Sequence, residues 1–284
     1  MSRHILIDGD VLVYESSFGA QRNRYTVTYN GGERTFENAK DRDAWLKAEG
    51  LKDTPELYTV TKHLDVLEES AALAICKNKL TSLLEKLEAS THHVYLTGKG
   101  NFRDEVATLA PYKGNRSNVE KPVHFAACRS WFENHEHSSV VNGQEADDAI
   151  GIDATRFKGE AIIASIDKDL RQLHGAHYEW HKDSKFRINK DASDRWFWLQ
   201  MLMGDSADNI PGIKGLGPVK AEKALDGCVE RRDRATVVQG LYKKQYGPDW
   251  YGWANEVGQL LWIRRAPEQM WDWQTYIEGR MVEG

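Results

Sequence analysis

Four short apolar runs, His4–Ile7, His93–Leu96, Ser139–Val141 and Ala161–Ile166, are continuous rather than alternating and end in polar or glycine-containing turns. Such runs predict strands covered on both faces, as in a parallel sheet. Between the first two, Val66–Leu87 places Cys76, Leu80, Leu83, Leu84 and Leu87 at helical spacing, which predicts a helix packed on that sheet. Strands alternating with helices imply an α/β fold. Gln21–His63 interrupts the rhythm. There Tyr25–Tyr29, Asn30-Gly31-Gly32 and Glu33–Phe36 predict an inserted hairpin, because Asn-Gly supplies the positive φ of the turn. From about Asp191 the pattern is helical and rich in tryptophan. The expected division is therefore an α/β core over 1–190 and a helical domain over 191–284.

Composition narrows the class. At 284 residues the chain exceeds one average domain, and 40% hydrophobic with 29% charged residues is ordinary for a soluble protein. No apolar run has the length needed to span a bilayer, and MSRHILIDGD lacks the apolar stretch of a secretory signal, so an intracellular protein is expected. Cys76, Cys128 and Cys228 have no paired spacing, which argues against a disulfide framework or a zinc knuckle. A net charge of −5 disfavours nucleic acid unless acids are reserved for metal. Two divalent ions would add about four positive charges at one spot.

The acids fall where chemistry is expected. Ligands of an open parallel sheet bind outside the carboxyl ends of its strands. Asp8 and Asp10 follow the first strand, Glu145, Asp147 and Asp148 the third, and Asp167 and Asp169 the fourth. Residues i and i+2 of an extended segment point the same way, so Asp167 and Asp169 can face one cluster. Glu145 and Asp147 would diverge on a helix, so Glu145 must precede the helix if both act together. Clustered carboxylates need hard cations such as Mg²⁺ or Mn²⁺, and oxygen-only ligands disfavour zinc. Any single pair could instead be a helix cap or solvated loop, and Asp10 in particular could cap the next helix. Three groups at three strand ends favour a site.

Gly204-Asp205-Ser206-Ala207-Asp208-Asn209-Ile210-Pro211-Gly212, continued by Ile213-Lys214-Gly215-Leu216-Gly217-Pro218, adds two acids and a glycine-rich hairpin. Pro218 suits a first helical position, and Gly217 before it leaves backbone N–H groups open to phosphate, with Lys214, Lys220 and Lys223 beside it. A helix-hairpin-helix of this kind grips duplex backbone without reading sequence. Arg103, Lys113, Arg116 and Lys121 could form a solvated loop, but their place beside the carboxylate edge makes them candidates for phosphate contact.

Five blocks in this order resemble the 5′-nuclease superfamily, of which bacteriophage 5′–3′ exonucleases look closest. They are Ile7-Asp8-Gly9-Asp10; Phe102-Arg103-Asp104-Glu105 through Tyr112-Lys113-Gly114-Asn115-Arg116; Glu145-Ala146-Asp147-Asp148; Ser165-Ile166-Asp167-Lys168-Asp169; and Gly204–Gly217. The resemblance spans roughly residues 4 to 225. It implies a PIN-like nuclease core with a mostly parallel sheet flanked by helices, a helical arch over about 102–135, and a helix-hairpin-helix over about 204–226. It also implies a metal site of Asp8, Glu145, Asp147, Asp148, Asp167, Asp169, Asp205 and Asp208, holding two Mg²⁺ or Mn²⁺ ions. Lys113 and Arg116 would contact the scissile phosphate, with Arg103 and Tyr112 also on the DNA and Tyr112 offering a ring for base stacking. Gly212, Lys214, Gly215, Gly217 and Lys220 would hold duplex backbone, with a potassium ion. The implied substrate is double-stranded DNA or an RNA–DNA hybrid with a 5′ end or flap. The implied setting is the cytoplasm of an infected bacterial host, with no membrane and with replication proteins as partners.

One departure stands out: the family carries an aspartate at the end of the second strand, where this chain has Thr97-Gly98. Restoring an acid at Thr97 is expected to lower the Mg²⁺ concentration that activity needs. Weaker signals point elsewhere. His174, His177 and His181 lie in a strand-like stretch that turns them apart, and Trp250 to Trp273 has the spacing of core residues rather than of a base-stacking surface. A haloacid-dehalogenase-type phosphatase would use Asp8, Asp10, Asp205 and Asp208 but gives Glu145 and Asp147 no task. A non-catalytic DNA-binding module is the alternative that Thr97 motivates.

Overall fold

The computed structural model describes residues 3–116 and 120–281. In chain order the strands and helices are β1 His4–Asp8, α1 Gly9–Gly19, β2 Gln21–Tyr29, β3 Gly32–Phe36, α2 Ala39–Ala48, β4 Tyr58–Val66, α3 Glu69–Leu87, β5 Thr91–Thr97, α4 Phe102–Val106, α5 Phe125–Glu133 and β6 Ser138–Val141. There follow α6 Ala146–Arg156, β7 Ile162–Ala164, β8 Gly175–Glu179, β9 Ser184–Ile188, α7 Lys190–Met203, β10 Gly204–Asp205, β11 Ile210–Pro211, α8 Pro218–Ala224, α9 Arg231–Tyr246, α10 Trp250–Leu261 and α11 Trp273–Ile277. None of the described helices is long and apolar enough to cross a membrane. By packing, the chain forms one unit from Met1–Val11, Ser82–Glu120 and His135–Gly284, and another from Leu12–Thr81 and Lys121–Asn134.

The larger unit holds a six-stranded sheet in the order β6-β5-β1-β7-β8-β9. All neighbours are parallel except β8 and β9. Ile5, Leu6 and Ile7 of the central strand are fully buried, which is why β1 reads as an unbroken apolar run. Helix α6 covers β1 and β5, packing Ala146, Ala149, Ile150 and Ala154 against Leu6, Tyr95 and Ile163. The predicted strands and α3 are present to within a few residues. β8 and the antiparallel edge β9 extend the sheet beyond them.

The last third of the chain is helical as expected, yet it is not a separate unit, and the division at residue 190 is corrected. A second core joins α7, α9, α10 and α11 around Phe197, Trp198, Trp262, Trp271 and Trp273. Its aromatic rings meet mainly edge to face or tilted, at centroid separations near 5.4 Å, so these tryptophans are core. Buried polar side chains bind this region to the sheet. Gln172, after β7, donates to the Leu261 carbonyl and accepts from the Ile263 amide.

The smaller unit contains the insertion. The hairpin forms with Tyr29 opposite Gly32, and Asn30 and Gly31 take φ of 49° and 76°. It is more than a hairpin, because β4 pairs with β2 from Gln21↔Val66 to Tyr29↔Tyr58, making an antiparallel sheet in the order β3-β2-β4. Helix α2 closes a small core of Val27, Phe36, Leu46 and Leu51. Cys76 and Cys128 are buried free thiols. Of the arch expected over 102–135, residues 117–119 lie outside the described residues.

Candidate active site

The strand ends, the Tyr112–Arg116 segment and the turn after α7 converge on a cavity of about 130 Å³. Glu145, Asp147, Asp167, Asp169, Asp205 and Asp208 line it together with Lys113, Arg116 and Lys168. Local geometry explains the placement. Glu145 is the N-cap of α6 with extended backbone, so it stands before the helix as predicted and faces the same space as Asp147. Asp205 and Asp208 are brought together by a two-strand turn, Gly204↔Pro211 and Asp205↔Ile210. Gly212 permits that turn, since a Cβ there would lie 2.2 Å from the carbonyl carbon of Met203.

Asp8 is 3% exposed; its Oδ1 accepts from the Val11 amide at 3.2 Å and its Oδ2 from the Ser165 hydroxyl at 2.7 Å. Burial pushes its pKa up to about 7; Asp10 and Asp167 add repulsion, and the two hydrogen bonds oppose the shift. Asp169 also rises to about 7, through burial and then the charges of Asp167 and Asp205. Burial raises Asp147 and Asp167 as well, and Asp8, Asp167 and Glu145 all repel Asp147. Carboxyls this crowded and dehydrated hold their charge poorly unless a cation joins them.

Basic side chains supply part of that charge. Lys113 Nζ lies 2.5 Å from Glu145 Oε1 and 3.8 Å from Asp208 Oδ2. Burial works against its ammonium, but these two acids outweigh it and hold its pKa above the usual lysine value. Arg116 pairs with Asp208, and Lys168 Nζ lies 2.9 Å from Asp205. Sequence reading passed over Lys168, although its position between Asp167 and Asp169 was the available signal. Lys113 also sits at φ 51°, in the left-handed region, with its amide donating to the Asp208 carbonyl. That unusual backbone is held by the site itself.

Four of the expected site residues are engaged within the protein. Asp148 is fully buried, and each of its oxygens already accepts two hydrogen bonds: Arg103 at 2.6 and 3.0 Å, the Arg264 amide at 3.0 Å and the Glu145 amide at 3.1 Å. It braces α6 rather than facing the cavity. Arg103, 2% exposed, gives two further donors to the Leu260 and Trp262 carbonyls, so it is a buried strut in the wall of the cavity. Tyr112 is 9% exposed; its hydroxyl meets Glu145 Oε2 at 3.0 Å and Asp208 Oδ2 at 2.9 Å. It stands in the wall of the cavity and packs with the helical core. Gly212 is a packing residue, while Lys214, Gly215, Gly217 and Lys220 are exposed around the turn that leads to Pro218. Thr97 turns its hydroxyl to the Ala146 amide at 2.9 Å, serving the start of α6. His177 is buried against Phe186 and binds the Leu173 carbonyl, and among the described residues no three His, Cys, Asp or Glu side chains are drawn into one coordination sphere.

Comparison with known proteins bears on this geometry. The family model of the 5′-3′ exonuclease N-terminal resolvase-like domain matches residues 59–196. The chain is 34% identical over 192 residues to flap endonuclease Xni of Shewanella oneidensis, covering 59% of this chain and 74% of that one. It is 37% identical over 121 residues to DNA polymerase I of Rhizobium leguminosarum, which is 37% of this chain and 12% of that one. The fold superposes on the T5 D15 protein co-crystallised with metal ions at a TM-score of 0.57, with 16% identity over 91% of this chain and 88% of that one. The T5 D15 flap endonuclease complex with DNA and metal ions gives 0.51, 13%, 91% and 99%. At such identities these structures share the fold.

Proposed function

Because this chain belongs to the 5′-nuclease superfamily, we propose that it hydrolyses phosphodiester bonds of DNA from a 5′ end or at a 5′ flap, with divalent cations held by its carboxylates. The observation that carries this reading is the convergence of Glu145, Asp147, Asp167, Asp169, Asp205 and Asp208 on one cavity that also holds Lys113 and Arg116. A phosphatase of the dehalogenase type leaves Glu145 and Asp147 without a task.

The donor set fits hard cations: it is all oxygen, buried, and raised in pKa by crowding, which is the electrostatic debt a divalent ion offsets. Asp8, Glu145, Asp147, Asp167, Asp169, Asp205 and Asp208 would hold Mg²⁺ or Mn²⁺, as two ions. When bound, these ions supply Lewis-acid stabilisation of the phosphoryl oxygens and a more acidic water. The chain's own part is positioning. Lys113 and Arg116 give up carboxylate partners for the scissile phosphate, and their positive charge answers the charge that builds up on it during attack. Tyr112 keeps Glu145 and Asp208 in register. The exposed turn Lys214–Gly217, with Lys220, would grip the duplex backbone and hold a potassium ion. RNA–DNA hybrids are substrates on the same grounds, since that grip reads no base.

Cleavage of duplex DNA labelled separately at its 5′ and 3′ ends, in Mg²⁺, Mn²⁺ or EDTA and beside a 5′-flap substrate, tests the proposal. Metal-dependent release from the 5′ end is the expected result. DNA binding without cleavage in either metal would leave a binding module instead.

A further inference from the structure

Of the four neighbouring strands β6, β5, β1 and β7, three lead into acids, namely Glu145 and Asp147, Asp8, and Asp167, whereas β5 runs out into Thr97-Gly98. Position 98 has no room for an acid, because a Cβ there would lie 2.6 Å from the Val141 carbonyl oxygen and 2.3 Å from Asn142 Oδ1. The Thr97 hydroxyl serves the Ala146 amide. A carboxylate is nevertheless present at that strand end: Asp10 Oδ2 accepts from the Thr97 amide at 3.0 Å. The register produces this. Asp8 lies opposite Tyr95, so two residues on, the chain leaving β1 brings Asp10 beside Thr97.

The bond of Asp10 to Thr97 reaches across to the neighbouring strand rather than into its own helix. The first turn of α1 is already bonded by Asp8, which takes the Val11 amide. Asp10 also acts on the site electrically, being among the charges that raise Asp8.

We propose, building on the nuclease reading above, that Asp10 is a charged member of the divalent-cation site, delivering from the β1–α1 junction the negative charge that the end of β5 lacks. The distinguishing property is charge, because an asparagine would keep the acceptor for the Thr97 amide. A unit charge about 6 Å from a dication changes affinity roughly tenfold even in a water-like medium. Asp10→Asn should therefore weaken Mn²⁺ binding about tenfold or more, and Thr97→Asp should recover the loss by placing the charge on the neighbouring strand.

The experiment is Mn²⁺ titration without DNA, by calorimetry or electron paramagnetic resonance, on the wild type, Asp10→Asn, Thr97→Asp and the double variant, with thermal melts in EDTA to check folding. The expected result is an Asp10→Asn loss of about tenfold, a double variant within about threefold of wild type, and little change for Thr97→Asp alone, because its place is already served. Asp10→Asn at wild-type affinity, or a double variant no tighter than Asp10→Asn, overturns the role of Asp10 while leaving the nuclease reading intact. A wild type that binds no Mn²⁺ overturns that reading and the role of Asp10 with it. Should Asp10→Asn fail to fold, Thr97→Asp decides: tightening of tenfold or more would mean that the position lacked its charge.

Discussion

Tyr112→Phe separates two roles that share one ring. A base-stacking platform would survive the change, since the aromatic face is kept. The structure assigns the work to the hydroxyl, which lies 3.0 Å from Glu145 Oε2 and 2.9 Å from Asp208 Oδ2. A phenol has one proton, so it serves the two carboxylates in shared fashion, and its removal costs about one charge-assisted bond, roughly 1.5–3 kcal/mol. Where that energy fixes the separation of two metal-site acids, the single-turnover cleavage rate should fall about 10- to 150-fold, at 1.36 kcal/mol per tenfold. Duplex affinity should change less than about twofold, because phenylalanine keeps the ring, which is only 9% exposed. Tyr112→Ala should in addition lose about 3–5 kcal/mol of stability in urea denaturation, as the ring packs within the core of the helical region. A Phe variant that cleaves within twofold of wild type would refute the bridge, and one that loses binding instead of rate would return Tyr112 to the DNA.

Arg103→Ala strands Asp148 without its partner in a buried setting and should cost about 3–5 kcal/mol in urea melts, whereas Arg103→Met with Asp148→Leu should cost much less than the two single changes summed. Lys113→Ala should lower the single-turnover rate more than it lowers duplex affinity, and equal losses in both would make Lys113 a docking residue only. In EDTA the protein should lose stability as pH rises from about 4 to about 7. Asp8 and Asp169 have folded pKa values near 7, above the unfolded carboxyl range, so the folded state binds more protons in that window and its advantage fades as they leave. Thermal melts across pH read this, and saturating Mg²⁺ should flatten or reverse the slope. Gly212→Ala should lower both melting temperature and duplex affinity, since its Cβ must push the turn away from Met203.

What could be read from the chain was whatever is local. Unbroken apolar runs marked β1, β5, β6 and β7 because burial on both faces is written in consecutive residues. Asn30-Gly31 marked its turn, and the spacing of Glu145 and Asp147 required the helix to start between them, as it does. What was not legible shares one cause, which is partners remote in sequence. Arg103 looks like any loop arginine until Leu260 and Trp262 turn their carbonyls toward it, and Asp148 looks like Asp147 until Arg103 occupies it. Tyr112 likewise reads as an aromatic beside basic residues, its hydroxyl's two carboxylates lying 33 and 96 positions away. β9 escaped notice because Ser184–Ile188 alternates at a polar edge, and the supposed boundary at 190 because Gln172 is an inconspicuous residue.

Helix α7 has a consequence for the geometry of cutting. Near its C-terminal end Gln200 holds Asp169 at 2.8 Å, two residues past its end Asp205 enters the cavity, and the same turn continues into Lys214–Gly217. A single rod of about 21 Å, at 1.5 Å per residue, thus anchors both the acids and the turn proposed to grip the duplex. Such a part works as a ruler: the span from gripped duplex to broken bond is set by covalent structure, not by the sequence of the DNA. The cut should therefore fall at a fixed number of nucleotides from the gripped duplex whatever its sequence, and lengthening the turn between Asp208 and Gly212 should shift that number before it abolishes cutting.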